Sequence, residues 1–340
     1  MLDCENVQSV LVHVGLDRLG DGILKLPFLR GLRVAFPNAK ITWFAGKENT
    51  VYSGALASIV TQEIDEIIEY GGVGITPREL FSPRPLANRS FDLVIDTQRN
   101  FWTALSVRRI PHKLYISPAA KFLLASTRPS ASYKLPKSMQ RQLLDILELC
   151  TGNTFSSPTS IELDIPEHYQ KQAQTLLPDD KVLVGFAPGS GGRPKCWPLE
   201  RYISVANGIA SDKVTPVFLI GPQEEEWAAE IVRAVPSAIL PLQIDNGPAN
   251  HKYDPLLTIA LGQKLAAAVS NDSGIAHMLA VAGSPLVALY GPTVYEKFPP
   301  MTTNIRVVRA EDYGSREMSA IPIEPVASAL KDLLALPDDG

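Results

Sequence analysis

Cysteine is scarce in this 340-residue chain: Cys4, Cys150 and Cys196 are the whole complement. An odd number at such spacing excludes a disulfide framework and a cysteine-based zinc site, and it fits a reducing compartment. Long hydrophobic runs are missing as well. Residues 10–14 are interrupted by His13 and the apolar run at 286–290 is only five residues long, against the ~20 needed to span a bilayer. Asp3 and Glu5 stand where a signal peptide would be basic, so the expectation is a soluble, cytoplasmic protein that is not exported. There is no Asp-x-Asp triplet, no G-x-G-x-x-G and no Gly-Lys-Ser/Thr ending to any glycine loop. These absences argue against a metal clamped on a diphosphate, a dinucleotide fingerprint and a P-loop NTPase.

What is present is ample for two cores. Hydrophobic residues make up 45% of the chain and the net charge is only −4, so composition excludes a disordered chain. Short β-rich runs alternate with stretches of helical spacing. They begin with 10–14 and 23–36 and continue through 41–45, 64–69 and 93–95. Near-continuous apolar strands are those of a parallel sheet covered on both faces. Around 151–180 the pattern loosens into polar, turn-rich sequence, which marks a domain boundary. Beyond it the alternation restarts with strands at 182–187, 216–220, 265–269 and 286–289 and helices from Pro198, Glu224 and Ser273. The expectation is an α/β protein of two domains, 1–165 and 178–320, with a last amphipathic helix within 321–340.

Charge is unevenly placed. Residues 97–144 hold nine basic side chains and no Asp or Glu, so this window is +9 while the rest of the chain sums to −13. Such a window attracts anions. Arg99, Arg108, Arg109 and Lys113 are its candidate acceptor contacts, and Phe101, Trp102, Tyr115, Phe122 and Tyr133 are spread among the charges. An anionic membrane surface or an acidic acceptor suits this better than nucleic acid, for which no recognition motif is present. The alternative is a solvated face whose acidic partners come from elsewhere in the fold.

Three stretches carry chemistry. Residues 15–22 follow the first strand and lead into a helix, with Gly20 read as a tight turn and Asp21 at the helix mouth. Open α/β sheets bind ligands at that end of the strands, so Asp21 is either a proton acceptor for a bound hydroxyl or a helix cap. The second stretch runs from Gly185 to Pro198, where flexible glycines let backbone N–H groups approach a phosphate and Lys195 adds a point charge. Read more plainly, it is a long solvated loop beside a packed Trp197. In the third, Asn271-Asp272-Ser273-Gly274 opens a helix that carries His277. Free N–H groups there suit an anion, although a lone helical histidine is commonly just packed.

Taken together and in order, these blocks resemble glycosyltransferase family 9, the lipopolysaccharide heptosyltransferases and their relatives. The resemblance is carried by Arg18-Leu19-Gly20-Asp21 with Leu26-Pro27 and Leu29-Arg30, and by the run from Ala35 to Thr42. Pro188-Gly189-Ser190 with Lys195-Cys196-Trp197-Pro198 continues it, followed by Asn271 through His277 and by Val287-Ala288-Leu289-Tyr290-Gly291-Pro292-Thr293. It implies a GT-B fold: two Rossmann-like domains with parallel sheets facing a central cleft, the acceptor on the N-terminal one and the nucleotide sugar on the C-terminal one. The last helix would pack back toward the first domain.

The activity implied is metal-independent inverting transfer of heptose from ADP-heptose to a lipopolysaccharide core acceptor, an anionic glycolipid. The protein would work in the cytoplasm, in peripheral contact with the inner membrane, and without a cofactor. Asp21 falls at the family's catalytic carboxylate. Ser190, Lys195, Asp272, Ser273, Gly274 and His277 fall on its donor site, and Glu224 falls near the residue that meets the ribose. The sequence departs from the family at Cys196, where many members have Arg, at Gly22, where Val is common, and at 243–253, which reads as an insertion. Two rivals of the same fold are a sugar-nucleotide epimerase and a sugar-nucleotide binding protein without turnover.

Overall fold

The computed structural model describes residues 4–244 and 252–335, so the segment read as an insertion lies largely outside the described residues. The chain divides into two compact units, 1–158 and 159–340. The division falls inside the loosened stretch, and its one short helix, α4 (Glu167–Leu176), belongs to the second unit. There it packs on α7 (Pro255–Gly262), with the Tyr169 hydroxyl donating to Asp254 at 2.7 Å.

The first unit is a five-stranded parallel sheet of β1 (Ser9–Val14), β2 (Lys40–Ala45), β3 (Glu66–Ile68), β4 (Phe91–Asp96) and β5 (His112–Ile116). Their order across the sheet is β3-β2-β1-β4-β5. Helix α1 (Leu19–Ala35) follows β1 and packs on α3 (Met139–Thr151). Gly31 permits that approach, because a Cβ there would lie 2.8 Å from Leu147. Helix α2 (Phe101–Arg108) sends Val107 into a cluster with Leu11, Phe44, Val94 and Tyr115. Residues 10–14 of β1 are all buried, the mark of a central strand in a parallel sheet.

The second unit repeats the plan with β6 (Val182–Ala187), β7 (Val214–Phe218), β8 (Ala267–Asn271), β9 (Leu286–Tyr290) and β10 (Ile305–Arg309), ordered β10-β9-β8-β6-β7. Its core gathers Val184, Phe186, Trp197, Tyr202, Phe218 and Val287 beneath α5 (Leu199–Ile209). Strand order reverses between β1 and β4 in one sheet and between β6 and β8 in the other. In open parallel sheets, ligands bind outside the carboxyl ends of the strands at such a reversal.

The last helix, α9 (Ile323–Leu334), lies on β8, β9 and α5 of the second unit, with Val326 and Leu330 in that core. Its apolar stripe is satisfied locally, and Trp197 Nε1 donates to the Ile321 carbonyl at 2.9 Å just before it. The helix expected from Glu224 begins instead as a single 3-10 turn at Glu225–Trp227 and becomes α6 only over Ala228–Ala234.

Candidate active site

In the first unit, Asp21 lies in the first turn of α1, and Gly20 is in that turn too rather than in a tight loop before it. The N-cap is Arg18, whose side chain makes no capping bond. Burial raises the proton affinity of the Asp21 carboxyl, while the Lys25 charge and a backbone hydrogen bond from Arg18 hold it down and the Asp17 charge pushes it up. Asp21 is therefore a partial cap whose carboxyl is largely desolvated.

Its neighbours are a buried network that the sequence reading missed. Lys25 forms an ion pair with Asp17, and the other oxygen of that carboxylate accepts from Trp43 Nε1 at 2.7 Å and from the Thr50 hydroxyl at 2.9 Å. With its partners supplied, Asp17 is fixed as the counterion of Lys25. A lysine between Leu24 and Leu26 on an apolar helix face was the available signal. Gly22 is explained here as well: a Cβ would meet Val51 at 2.5 Å, and its carbonyl accepts from Tyr52.

The basic window separates into different places. Lys113 pairs with Asp92 at 2.7 Å, at the amino ends of β5 and β4, and this contact is the main cause holding the Asp92 carboxyl below its usual range. The Arg109 guanidinium donates to the carbonyls of Glu79 and Ser82. Lys113 is thus paired while staying mostly exposed, Arg109 is bonded to backbone carbonyls, and Arg108 ends α2. Arg99 instead lines a 440 Å³ pocket beyond the carboxyl end of β4, together with Lys121, Arg128 and Tyr133. Ala120, Lys121 and Phe122 all have positive φ, 48°, 56° and 64°, a rare left-handed run that turns the Lys121 segment along the pocket wall. Of the aromatics in the window, Tyr115 and Phe122 are core residues, whereas Phe101 and Trp102 are exposed.

In the second unit, the loops after β6 and β8 meet at the strand-order reversal. Asn271 ties them together: its Oδ1 accepts from Trp197 N at 3.0 Å and from the Tyr202 hydroxyl at 2.9 Å, and its Nδ2 donates to the Pro188 carbonyl at 2.7 Å. This fully buried amide was quoted as part of a motif, but its tying role is visible only in three dimensions. Lys195 Nζ is thereby placed 3.5 Å from Asp272, whose carboxylate also accepts from the Thr293 hydroxyl. Ser190 Oγ donates to the Gly192 carbonyl at 2.8 Å and lies 3.5 Å from Cys196 Sγ, so it shapes the loop.

Glu224 packs under the same loop, where a Cβ on Gly189 would lie 2.7 Å from its carboxyl carbon. Burial raises its proton affinity, with the Arg193 charge acting against that. Helix α8 (Gly274–Val281) starts here, and its N-cap Ser273 donates to the Asn271 carbonyl rather than capping the helix. His277 on α8 is buried, with Nδ1 unpartnered, and burial lowers its pKa to about 4 despite the Asp272 charge. It is a neutral imidazole at physiological pH.

A family model described as "Glycosyltransferase family 9 (heptosyltransferase)" matches residues 83–324. This chain belongs to glycosyltransferase family 9. It is similar to lipooligosaccharide heptosyltransferase 2 of Haemophilus influenzae, 28% identical over 48% of this chain and 51% of that one. Lipopolysaccharide heptosyltransferase 2 of Escherichia coli is 31% identical over 40% of this chain and 38% of the other. The matched regions thus span about half or less of these relatives, whereas lipopolysaccharide heptosyltransferase 3 of E. coli matches over 94% and 96% of the two chains at 23% identity.

Among solved structures, a family 9 glycosyl transferase from Veillonella parvula superposes with a TM-score of 0.71 at 24% identity, covering 98% and 99% of the two chains. E. coli ADP-heptose lps heptosyltransferase II superposes with 0.67 at 23% identity, covering 96% and 99%. The fold of this family 9 member is accordingly the GT-B class, here two parallel-sheet α/β domains. Among the described residues, no helix is long and apolar enough to cross a membrane.

Proposed function

We propose that this family 9 protein is an inverting glycosyltransferase that moves heptose from ADP-heptose onto an acidic sugar of a lipopolysaccharide core. The observation that carries the reading is the desolvated Asp21 carboxylate in the first turn of α1, set beside a Lys25–Asp17 pair that occupies the neighbouring charges. A carboxylate of raised proton affinity is a competent base for an acceptor hydroxyl attacking the anomeric carbon.

Each domain contributes a share of the chemistry. On the second, Lys195 and the N–H groups at the start of α8 would receive the negative charge that develops on the departing diphosphate. Ser190, Ser273 and Gly274 shape that cradle, and Glu224 offers a carboxylate to the ribose hydroxyls. Neutral His277 and Asp272 would face the sugar. The first domain's cations Arg99, Lys121 and Arg128 would hold anionic groups of the acceptor, while exposed Phe101 and Trp102 suit peripheral contact with the inner membrane from the cytoplasm. Arg108, Arg109 and Lys113 carry little of this reading, because two of them already have partners.

Thermal denaturation with ADP, UDP, GDP and their sugars tests the donor assignment, since a ligand bound only by the native state raises its midpoint. ADP and ADP-heptose should give the largest shifts. A preference for UDP or GDP would overturn the donor. Product formation from ADP-heptose and a heptose-free core acceptor tests the reaction itself.

A further inference from the structure

Past α6 the chain of the second unit returns beside β7, where Ile239 bridges Val217 in parallel. A 3-10 turn at Pro241–Gln243 then brings it to the carboxyl end of that strand, and Gln243 Nε2 donates to the Ile220 carbonyl at 3.1 Å. The other end of the amide is unused. Gln243 Oε1 is buried and accepts from no group among the described residues. A buried acceptor left unpaired is costly, and in folded proteins such an atom has a partner in the chain, in water or in a ligand.

The neighbouring donor is already spent. The Tyr253 hydroxyl lies close to the Gln243 amide but gives its proton to Glu225, which also holds Lys252 Nζ at 2.7 Å. Nor is the amide free to turn over, because the Ile220 carbonyl would then face Oε1 and two acceptors would meet. Oε1 is therefore the end presented.

Its place in the unit says what could meet it. Ile220 leads into Gly221, on which Glu224 folds back: Glu224 N donates to the Gly221 carbonyl at 3.1 Å, and a Cβ on Gly221 would lie 3.1 Å from Glu224 Oε2. Gln243 and Glu224 thus flank one turn. A ribose on Glu224 carries its base one bond away, within reach of the amide. Ile220, Leu240 and Leu242 are buried around that turn, and in apolar surroundings an N–H to oxygen bond is strong while an unmade one is felt in full.

We infer that Gln243 reads the base of the donor, with Oε1 accepting from the exocyclic amine of a 6-aminopurine. The inference rests on the proposal that the ribose lies on Glu224, and it names the residue that makes the donor an adenine nucleotide. Where hypoxanthine replaces adenine, an oxygen stands in place of the amine and faces Oε1 as a second acceptor. A site built around such a bond rejects the analogue because its own buried group is left unpaired.

The test is isothermal titration calorimetry of the full-length protein with ADP and inosine 5′-diphosphate, which share ribose, diphosphate and ring shape and differ at the group that Gln243 meets. ADP should bind at least about tenfold more tightly. Gln243→Met keeps the reach of the side chain and removes the acceptor, so ADP should weaken about tenfold while inosine 5′-diphosphate changes by less than about twofold, and the preference disappears. Equal binding of the two by the unaltered protein overturns the inference without any need of the variant. A preference that survives Gln243→Met overturns it too, as does equal weakening of both ligands, which would make Gln243 a support of the Ile220 turn; in these cases ADP stands as the donor nucleotide. If UDP or GDP binds and ADP does not, the donor assignment itself falls and the inference with it.

Discussion

Asp21 and His277 show how burial tunes a side chain in opposite senses. For Asp21, burial disfavours the carboxylate, so the native state holds its proton to higher pH than the unfolded chain. The penalty on the native state builds as pH rises through the ordinary carboxylate range, where the unfolded chain loses the proton that the native state keeps, and it is complete once the native carboxyl has ionised. Asp21→Asn should raise the melting temperature at pH 7 and leave it unchanged near pH 3, while Asp21→Ala should cut turnover by ~10² or more with donor affinity nearly unchanged. Near-normal kcat in Asp21→Ala would return the residue to a capping role. His277, lowered from 6.5 to about 4, works the other way. Between those values the unfolded chain binds the extra proton, so this residue's contribution to stability falls as pH drops through that window and levels off below it. His277→Gln should flatten that part of the stability profile measured by thermal denaturation at a series of pH values.

At the scale of elements, the loops after β6 and β8 act as one piece because Asn271 holds both. Asn271→Ala leaves the Trp197 N–H, the Tyr202 hydroxyl and the Pro188 carbonyl without their buried partner. A cost of about 2–3 kcal/mol is expected in chemical denaturation, together with weaker nucleotide binding because the Lys195 loop loses its anchor. Lys195→Ala should weaken nucleoside diphosphate binding with little change in stability, since its contact with Asp272 is long, at 3.5 Å, and the lysine is partly exposed. In the proposed scheme Lys195 and the α8 amides neutralise the leaving group, so excess EDTA should leave turnover intact. Abolition by EDTA, restored by magnesium or manganese, would overturn that part of the scheme.

For the whole molecule, the charge separation matters most. The window at 97–144 is +9 in a chain of net −4, but its cations are divided between structural duties and the pocket around Arg99, Lys121 and Arg128. Glu substitutions at Arg99 and Lys121 should raise acceptor KM with donor KM unchanged, whereas Lys113→Glu should lower stability through Asp92 and leave acceptor KM alone. Exposed charges are screened over about 8 Å at physiological salt, so acceptor binding should weaken with salt more than nucleotide binding does. Equal salt sensitivity of the two would remove the acceptor role from these cations.

Local physics sufficed for much of this protein. Apolar runs of strand length alternating with helical spacing make parallel sheets, because strands buried on both faces need apolar residues at successive positions. The blocks at Asp21, Lys195 and Asp272 were legible because their glycines, prolines and charges sit at strand ends. What the sequence could not determine is pairing between residues far apart in the chain. Nothing local joins His13 to Asp96, Asp17 to Thr50 or Asn271 to Trp197. Only strand order makes them neighbours: β4 lies beside β1, and β8 beside β6. The basic window misled for the same reason, since the acid that neutralises Lys113 and the carbonyls that hold Arg109 arrive from segments elsewhere in sequence. Burial, which sets the proton affinities of Asp21 and His277, is likewise a property of the folded surroundings, and the tertiary structure alone decided it.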